Sequence, residues 1–246
     1  MRRKTFMLIL LFLFTGITWL KAEETGLKVG VDYRLTFLKS AVEYKGDKVK
    51  LVGDLKLPSR KNIPAFNLSY WYDDRNGFTF TYWSASYKGN SEDSFEFGDT
   101  RFTADIQTKL KTTFADLLYS RMVWEGITTQ VFLNLGIKYA DINMEVKGTS
   151  QGKEKEETVH VYGPIPQVGV RVAFPFTPDI TLSGEVNGIA LGNASMWEGK
   201  VSIGGKFAEG FGLEGGYRVF GIRGESKDFK VGHSVEGFYL QFNILF

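Results

Sequence analysis

The chain has 246 residues, no cysteine, and 30 lysines and arginines against 28 aspartates and glutamates. Without cysteine there is no disulfide, no thiolate nucleophile, no cysteine metal site and no lipoprotein-type signal. A formal charge of +2 leaves no basic footprint for nucleic acid, while 21 Phe, 11 Tyr, 5 Trp and 28 Gly with only 6 Pro favour strands.

The first 22 residues read as a cleaved secretory signal peptide. Arg2, Arg3 and Lys4 form a positive start, Phe6 to Phe14 an apolar run, and Ala22 the expected cleavage point. The apolar run is too short for a comfortable membrane helix. Removal of Arg2, Arg3, Lys4 and Lys21 takes the formal charge from +2 to −2. The remainder, 23–246, reads as one domain. It contains no stretch long and apolar enough for a transmembrane helix, so if it crosses a membrane it must do so with strands closed into a barrel.

Period-two patterning then fills the chain. In 27–38, Leu27, Val29, Val31, Tyr33, Leu35 and Phe37 share one face, and Lys28, Gly30, Asp32, Arg34 and Thr36 the other. Residues 39–64 form a long polar stretch in which Val49, Leu51, Leu55 and Leu57 alternate with charges. A hairpin above the membrane is preferred here over a crossing strand, which would put the later long loops on the wrong side. Strands at 66–72 and 78–87 are joined by a link ending in Asn76-Gly77, a hairpin signal. After a polar segment at 88–108, a strand at 109–120 shows weaker alternation, with Phe114 and Leu118 on the same face as Asp116.

The second half alternates more cleanly, with strands near 130–139, 167–174, 180–187, 200–207 and 211–219. Short turns are expected at 73–77, 121–127, 177–179 and 208–210, and longer connections at 39–64, 88–108, 147–157 and 225–232. The count is about ten strands, with eight or twelve as alternatives, and an even number puts both termini on the periplasmic side.

The closing stretch carries the strongest signal. Phe238, Leu240, Phe242, Ile244 and Phe246 occupy one face, and Gly237, Tyr239, Gln241 and Asn243 the other. With the signal peptide and the alternating strands, this ending resembles small Gram-negative outer-membrane β-barrel proteins over the whole chain after the signal. The resemblance implies an all-β fold, a transmembrane antiparallel up-and-down β-barrel in the outer membrane. Its partners would be outer-membrane lipid, lipopolysaccharide and the barrel assembly machinery, which would read Phe238, Leu240, Phe242, Ile244 and Phe246.

Alternation alone does not say which face is inside, because a soluble lipocalin-like barrel has the same period. The glycine-rich polar face suits a crowded interior. Tyr72, Phe78, Tyr119, Phe174, Phe176, Phe207, Phe211 and Phe246 gather at the short-turn end like an interfacial girdle. The expected interior network is Lys28, Asp32, Arg34, Lys138, Arg171, Glu185, Lys200, Lys206, Glu214 and Arg218. The short turns set Arg171 opposite Glu185, Glu214 near Gly204 and Lys200 near Arg218.

No catalytic, metal or cofactor constellation stands out. The two histidines, His160 and His233, are expected at the surface near outer strand ends, and Ser234 beside His233 faces the opposite way. The expected role is structural or surface-interacting, with the interior largely filled by a polar and charged network. A narrow passive pore is the alternative, and a lipid- or peptide-modifying hydrolase a distant one.

Overall fold

The computed structural model describes residues 26–44, 47–97, 100–177, 179–192, 194–226 and 229–246. The expected signal peptide, 1–22, lies outside the described residues. The strands are β1 (Gly26–Tyr44), β2 (Asp47–Lys50), β3 (Arg60–Trp71), β4 (Asn76–Ser91), β5 (Phe95–Phe97), β6 (Thr100–Phe102), β7 (Ala104–Glu125), β8 (Gln130–Ser150), β9 (Lys153–Pro175), β10 (Ile180–Leu191), β11 (Ala194–Ala208), β12 (Phe211–Ser226) and β13 (Phe229–Leu245).

Ten of these make one antiparallel barrel in the order β1-β3-β4-β7-β8-β9-β10-β11-β12-β13. It closes by pairing β13 with β1, from Lys28 opposite Leu245 to Tyr44 opposite Phe229. Closure leaves no free edge through the belt, the condition a sheet must meet in lipid. The ten strands are those expected from alternation.

In the half of the barrel nearest the short turns, Val31, Tyr33, Leu135, Ile137, Val201, Ile203, Phe238 and Leu240 are exposed on the outer wall, whereas Asp32, Arg34, Asn134, Lys138 and Gln167 are buried within. A soluble barrel would reverse this, so the apolar face is the lipid face. The aromatic girdle is present at the short-turn end: Phe207, Phe211 and Phe242 lie within 6.3 Å of one another by ring centroid, and Phe78 lies between Tyr72 and Tyr119.

Four connections differ from expectation, and the first is the loop expected at 225–232, where β12 runs to Ser226, β13 starts at Phe229 and Glu225 pairs with Lys230. The turn expected at 121–127 falls later, because β7 continues to Glu125. A bulge between Met122 and Trp124 lets Val123 and Trp124 both face outward. The charged segment 147–157 is mostly strand: Lys147 pairs with Glu156 and Ser150 with Lys153, leaving Gln151-Gly152 as a two-residue tip with φ of 51° and 75°. Its charges favour this pairing, since the Lys147 ammonium sits 2.8 Å from Glu145 and 3.2 Å from Glu156. The hairpin expected at 39–64 exists as β1–β2, but the chain after it turns inward. Leu51, Leu55 and Leu57 are almost fully buried, as are Phe97 and Phe102 of the β5–β6 hairpin.

These segments fill the long-hairpin half of the barrel. There the inner wall turns apolar, with Leu38, Val42, Trp83, Tyr87, Ile106, Leu110, Phe114, Ile142, Met144, Val146, Met196 and Phe220 in one buried cluster with the three leucines. The expected charged filling therefore occupies only the short-turn half. In the other half, removal from water stabilises each large apolar side chain by roughly 1.5–3 kcal/mol, which a charged filling would not provide.

Candidate functional site

The charged side chains of the polar layer come from inner-face positions of seven strands, which regular pleating brings to one level. Six cations (Lys28, Arg34, Lys138, Arg171, Lys200, Arg218) meet five carboxylates (Asp32, Asp116, Glu185, Glu198, Glu214). The Lys138 ammonium donates to Asp116 at 2.6 Å and Glu198 at 2.8 Å. Arg218 is ion-paired with Glu198, and Gln167 donates to Asp116. The Arg34 guanidinium grips Asp32 through Nε and Nη2, at 2.8 Å for the shortest contact. Glu214 collects Lys200 at 3.1 Å, Lys28 at 3.5 Å and the Tyr239 hydroxyl at 2.7 Å.

Nine of the ten residues expected inside are there. Lys206 is the exception. It stands exposed beside the register shift that ends β11, at the rim of the short-turn mouth, and joins no ion pair among the described residues. The expected registers hold: Arg171 is opposite Glu185, Glu214 opposite Gly204 and Lys200 opposite Arg218. Yet Arg171 and Glu185 do not form an ion pair. Glu185 instead accepts from the Asn187 amide at 2.6 Å and the Asn134 amide at 3.2 Å. The Arg171 guanidinium lies over Phe132, 4.0 Å from the ring centroid, and 5.2 Å from that of Trp71.

Two carboxylates central to the network, Asp116 and Glu198, were missing from the expected set. Asp116 sits in weakly patterned β7, where Phe114 and Leu118 dilute its signal, and Glu198 lies before the stretch of β11 that alternates cleanly. Adding them brings the network near to balance. Unpaired buried charge is costly, and pairing with hydrogen bonds offsets that cost.

An aromatic floor separates this layer from the apolar core. Trp83 stacks on Phe114 at 4.5 Å and Phe114 meets Phe220 edge-on at 4.9 Å. Arg34 faces Trp83 at 5.6 Å and Lys138 faces Phe220 at 5.4 Å, so cations of the network rest against its underside. The route through the barrel thus ends on packed rings and leucines.

The histidines divide. His160 is exposed, as expected, and its Nε2 lies 3.0 Å from Asp141. His233 is not at the surface: it is 2% exposed, between Phe114 and Phe220. The register places Ser40 opposite it, and Ser40 Oγ lies 2.9 Å from its Nδ1. Nucleophile and base geometry is thus present, but Nε2 has no partner and the pair is walled by Val42, Leu51, Leu110, Ile142 and Met144. Among the described residues no carboxylate hydrogen-bonds this imidazole, and no group of three or more potential metal ligands forms.

No protein-family model matches the chain, and no curated protein matches it in sequence. Solved structures do. The outer membrane protease OmpT from Escherichia coli is similar over 93% of this chain and 99% of its own, with 8% identity and a TM-score of 0.57. The translocator domain of the autotransporter NalP from Neisseria meningitidis is similar over 99% of this chain and 95% of its own, with 11% identity and a TM-score of 0.49. Ail of Yersinia pestis is similar over 89% and 99%, with 12% identity and a TM-score of 0.37. The closed ten-strand barrel, with its likeness to OmpT, gives the chain the fold of outer-membrane β-barrel proteins, at an identity that carries the fold alone.

Proposed function

We propose that this is a sealed outer-membrane barrel with a structural or surface-interaction role. It sits with both termini periplasmic and its long hairpins outside, among lipid and lipopolysaccharide. One observation carries the reading: the interior is closed by the apolar cluster around Leu51, Leu55, Leu57, Phe97 and Phe102, which leaves no polar path for an ion. The buried Ser40–His233 pair fits the same picture, because packing leaves no space for a substrate beside it.

The longest hairpin, β8–β9, supplies the contact surface. At about 3.3 Å per residue and a tilt near 40°, the 21 residues of β8 reach roughly 50 Å, about twice the apolar band of such a barrel. Exposed charges crown it, and Tyr162 stands exposed lower on its flank, opposite Asp141. Purified protein refolded into planar bilayers should give no conductance steps at any applied voltage. Reproducible steps would replace this reading with the narrow pore.

A further inference from the structure

We propose that the open mouth at the short-turn end is a binding site for a small oxyanion, a carboxylate or a phosphate, held by Arg171. A cavity of about 310 Å³ lies there between the ends of β9 to β13, lined by Lys28, Arg171, Ser183, Ser202, Glu214 and Asn243 among others. Arg171 also borders the smaller cavity above it, of about 110 Å³. It therefore stands at the back wall of the mouth, directly below the closed polar layer.

The case rests on what Arg171 lacks. Of the six cations in the layer, it alone has no carboxylate within ion-pair distance; each of the other five is salt-bridged. Its Nε is buried without a hydrogen-bond partner. Glu185, opposite it in register, is turned away to Asn187 and Asn134. Glu214, the other nearby acid, is held by Lys28, Lys200 and Tyr239. Phe132 and Trp71 lie against one side of the guanidinium, at 4.0 and 5.2 Å from their ring centroids, and fix it in place at the cavity wall. A planar fork held by two rings, with no carboxylate paired to it and its Nε unpartnered, suits an oxyanion that accepts two parallel N–H bonds. The Lys28 ammonium, part-exposed on the same wall, adds positive charge, and the Ser183–Ser202 hydroxyl pair, 2.7 Å apart, keeps one O–H proton beyond the bond they share.

The aromatic floor and the apolar core close the cavity above, so the anion enters and leaves by the same mouth. The site binds without conducting, whichever way the barrel lies in the membrane.

Isothermal titration of the full folded barrel in non-ionic detergent tests this, with inorganic phosphate and acetate as probes at constant ionic strength set by chloride. Saturable uptake of at least one probe is expected, with Kd of about 1 mM or tighter and weakening about tenfold or more in Arg171→Met. Lys109→Met, on an exposed outward position, should leave it unchanged. No saturable uptake of either probe, or equal uptake by wild type and Arg171→Met, overturns the site. If Arg171→Met fails to fold, phenylglyoxal labelling of folded wild type decides it. Protection of Arg171 by phosphate or acetate supports the site, and equal labelling with and without the anions overturns it. Bilayer conductance is a separate measurement, so failure of the sealed-barrel reading and failure of this site are distinguishable.

Discussion

The Lys138 ammonium lies 5.4 Å below the Phe220 ring while it donates to Asp116 and Glu198. One side chain thus joins the charged layer to the aromatic floor. Lys138→Met keeps the length of the side chain and strands two buried carboxylates. Breaking a buried pair by removing one partner costs about 3–5 kcal/mol, and Arg218 remains to offset part of that at Glu198. The variant should unfold at clearly lower denaturant in detergent at pH 7, and Lys138→Arg should recover part of the loss. An unchanged midpoint for Lys138→Met would show that the network is not a source of stability.

A Cβ on Gly89 would collide with the carbonyl oxygen of Leu55. The closing segment therefore lies directly on β4, at a point where only glycine leaves room for its backbone. Gly89→Val should push the segment out, at an overpacking cost of about 1–3 kcal/mol. Tryptic cleavage after the exposed Lys56 should accelerate in folded protein, and conductance steps absent from wild type should appear. Wild-type cleavage rates would mean that the segment is held without this contact.

Much of the barrel was legible because lipid enforces alternation strictly, as in Val131, Leu133, Leu135, Ile137 and Tyr139. The apolar core was also written there, in a phase change. After Tyr139 the apolar positions move to Ala140, Ile142, Met144 and Val146, and in β4 they move from Phe78, Phe80 and Tyr82 to Trp83, Ala85 and Tyr87. Each shift moves the apolar side chains from the outer wall to the inner one. Period-two counting detects the pattern but not the shift, so His233 looked like a surface residue. The burial of Leu51, Leu55 and Leu57 was not legible, because an irregular segment has no period to announce which side chains it tucks in.

The end of the chain should matter more for biogenesis than for final stability. Phe246 exchanges both backbone hydrogen bonds with Leu27, at 2.8 and 3.3 Å, and its ring is about half exposed on the lipid side. Losing that ring costs about 1 kcal/mol by area. Deletion of Phe246 should sharply lower the heat-modifiable, membrane-inserted fraction in cells, with a much smaller effect on refolding into detergent. Equal assembly of the deletion and wild type would show that the closing strand is not read as a signal.

The β3–β4 turn should carry a pH dependence of its own. The Asn76 side chain, with the backbone N–H groups of Arg75 and Asn76, donates to the Asp73 carboxylate and holds its pKa below the ordinary aspartate value. A carboxylate lowered in the folded state contributes stability above its unfolded pKa of about 3.9, and that contribution fades as pH falls through the lower folded value. Asp73→Ala should therefore lower the unfolding midpoint at pH 7, and the gap from wild type should shrink toward pH 2. A constant gap would mean that the turn gains nothing from ionisation.

The phase change after Tyr139 divides one continuous wall between two solvents. Below it the protein is an inside-out object that needs an amphiphile around it; above it, an ordinary water-soluble core rests on that base. The two parts answer to different levers. Acyl-chain length of the surrounding detergent acts on the lower wall alone. The upper core, which hides apolar surface from water, brings the large heat-capacity change typical of soluble domains, and with it a stability that peaks at moderate temperature and weakens in the cold.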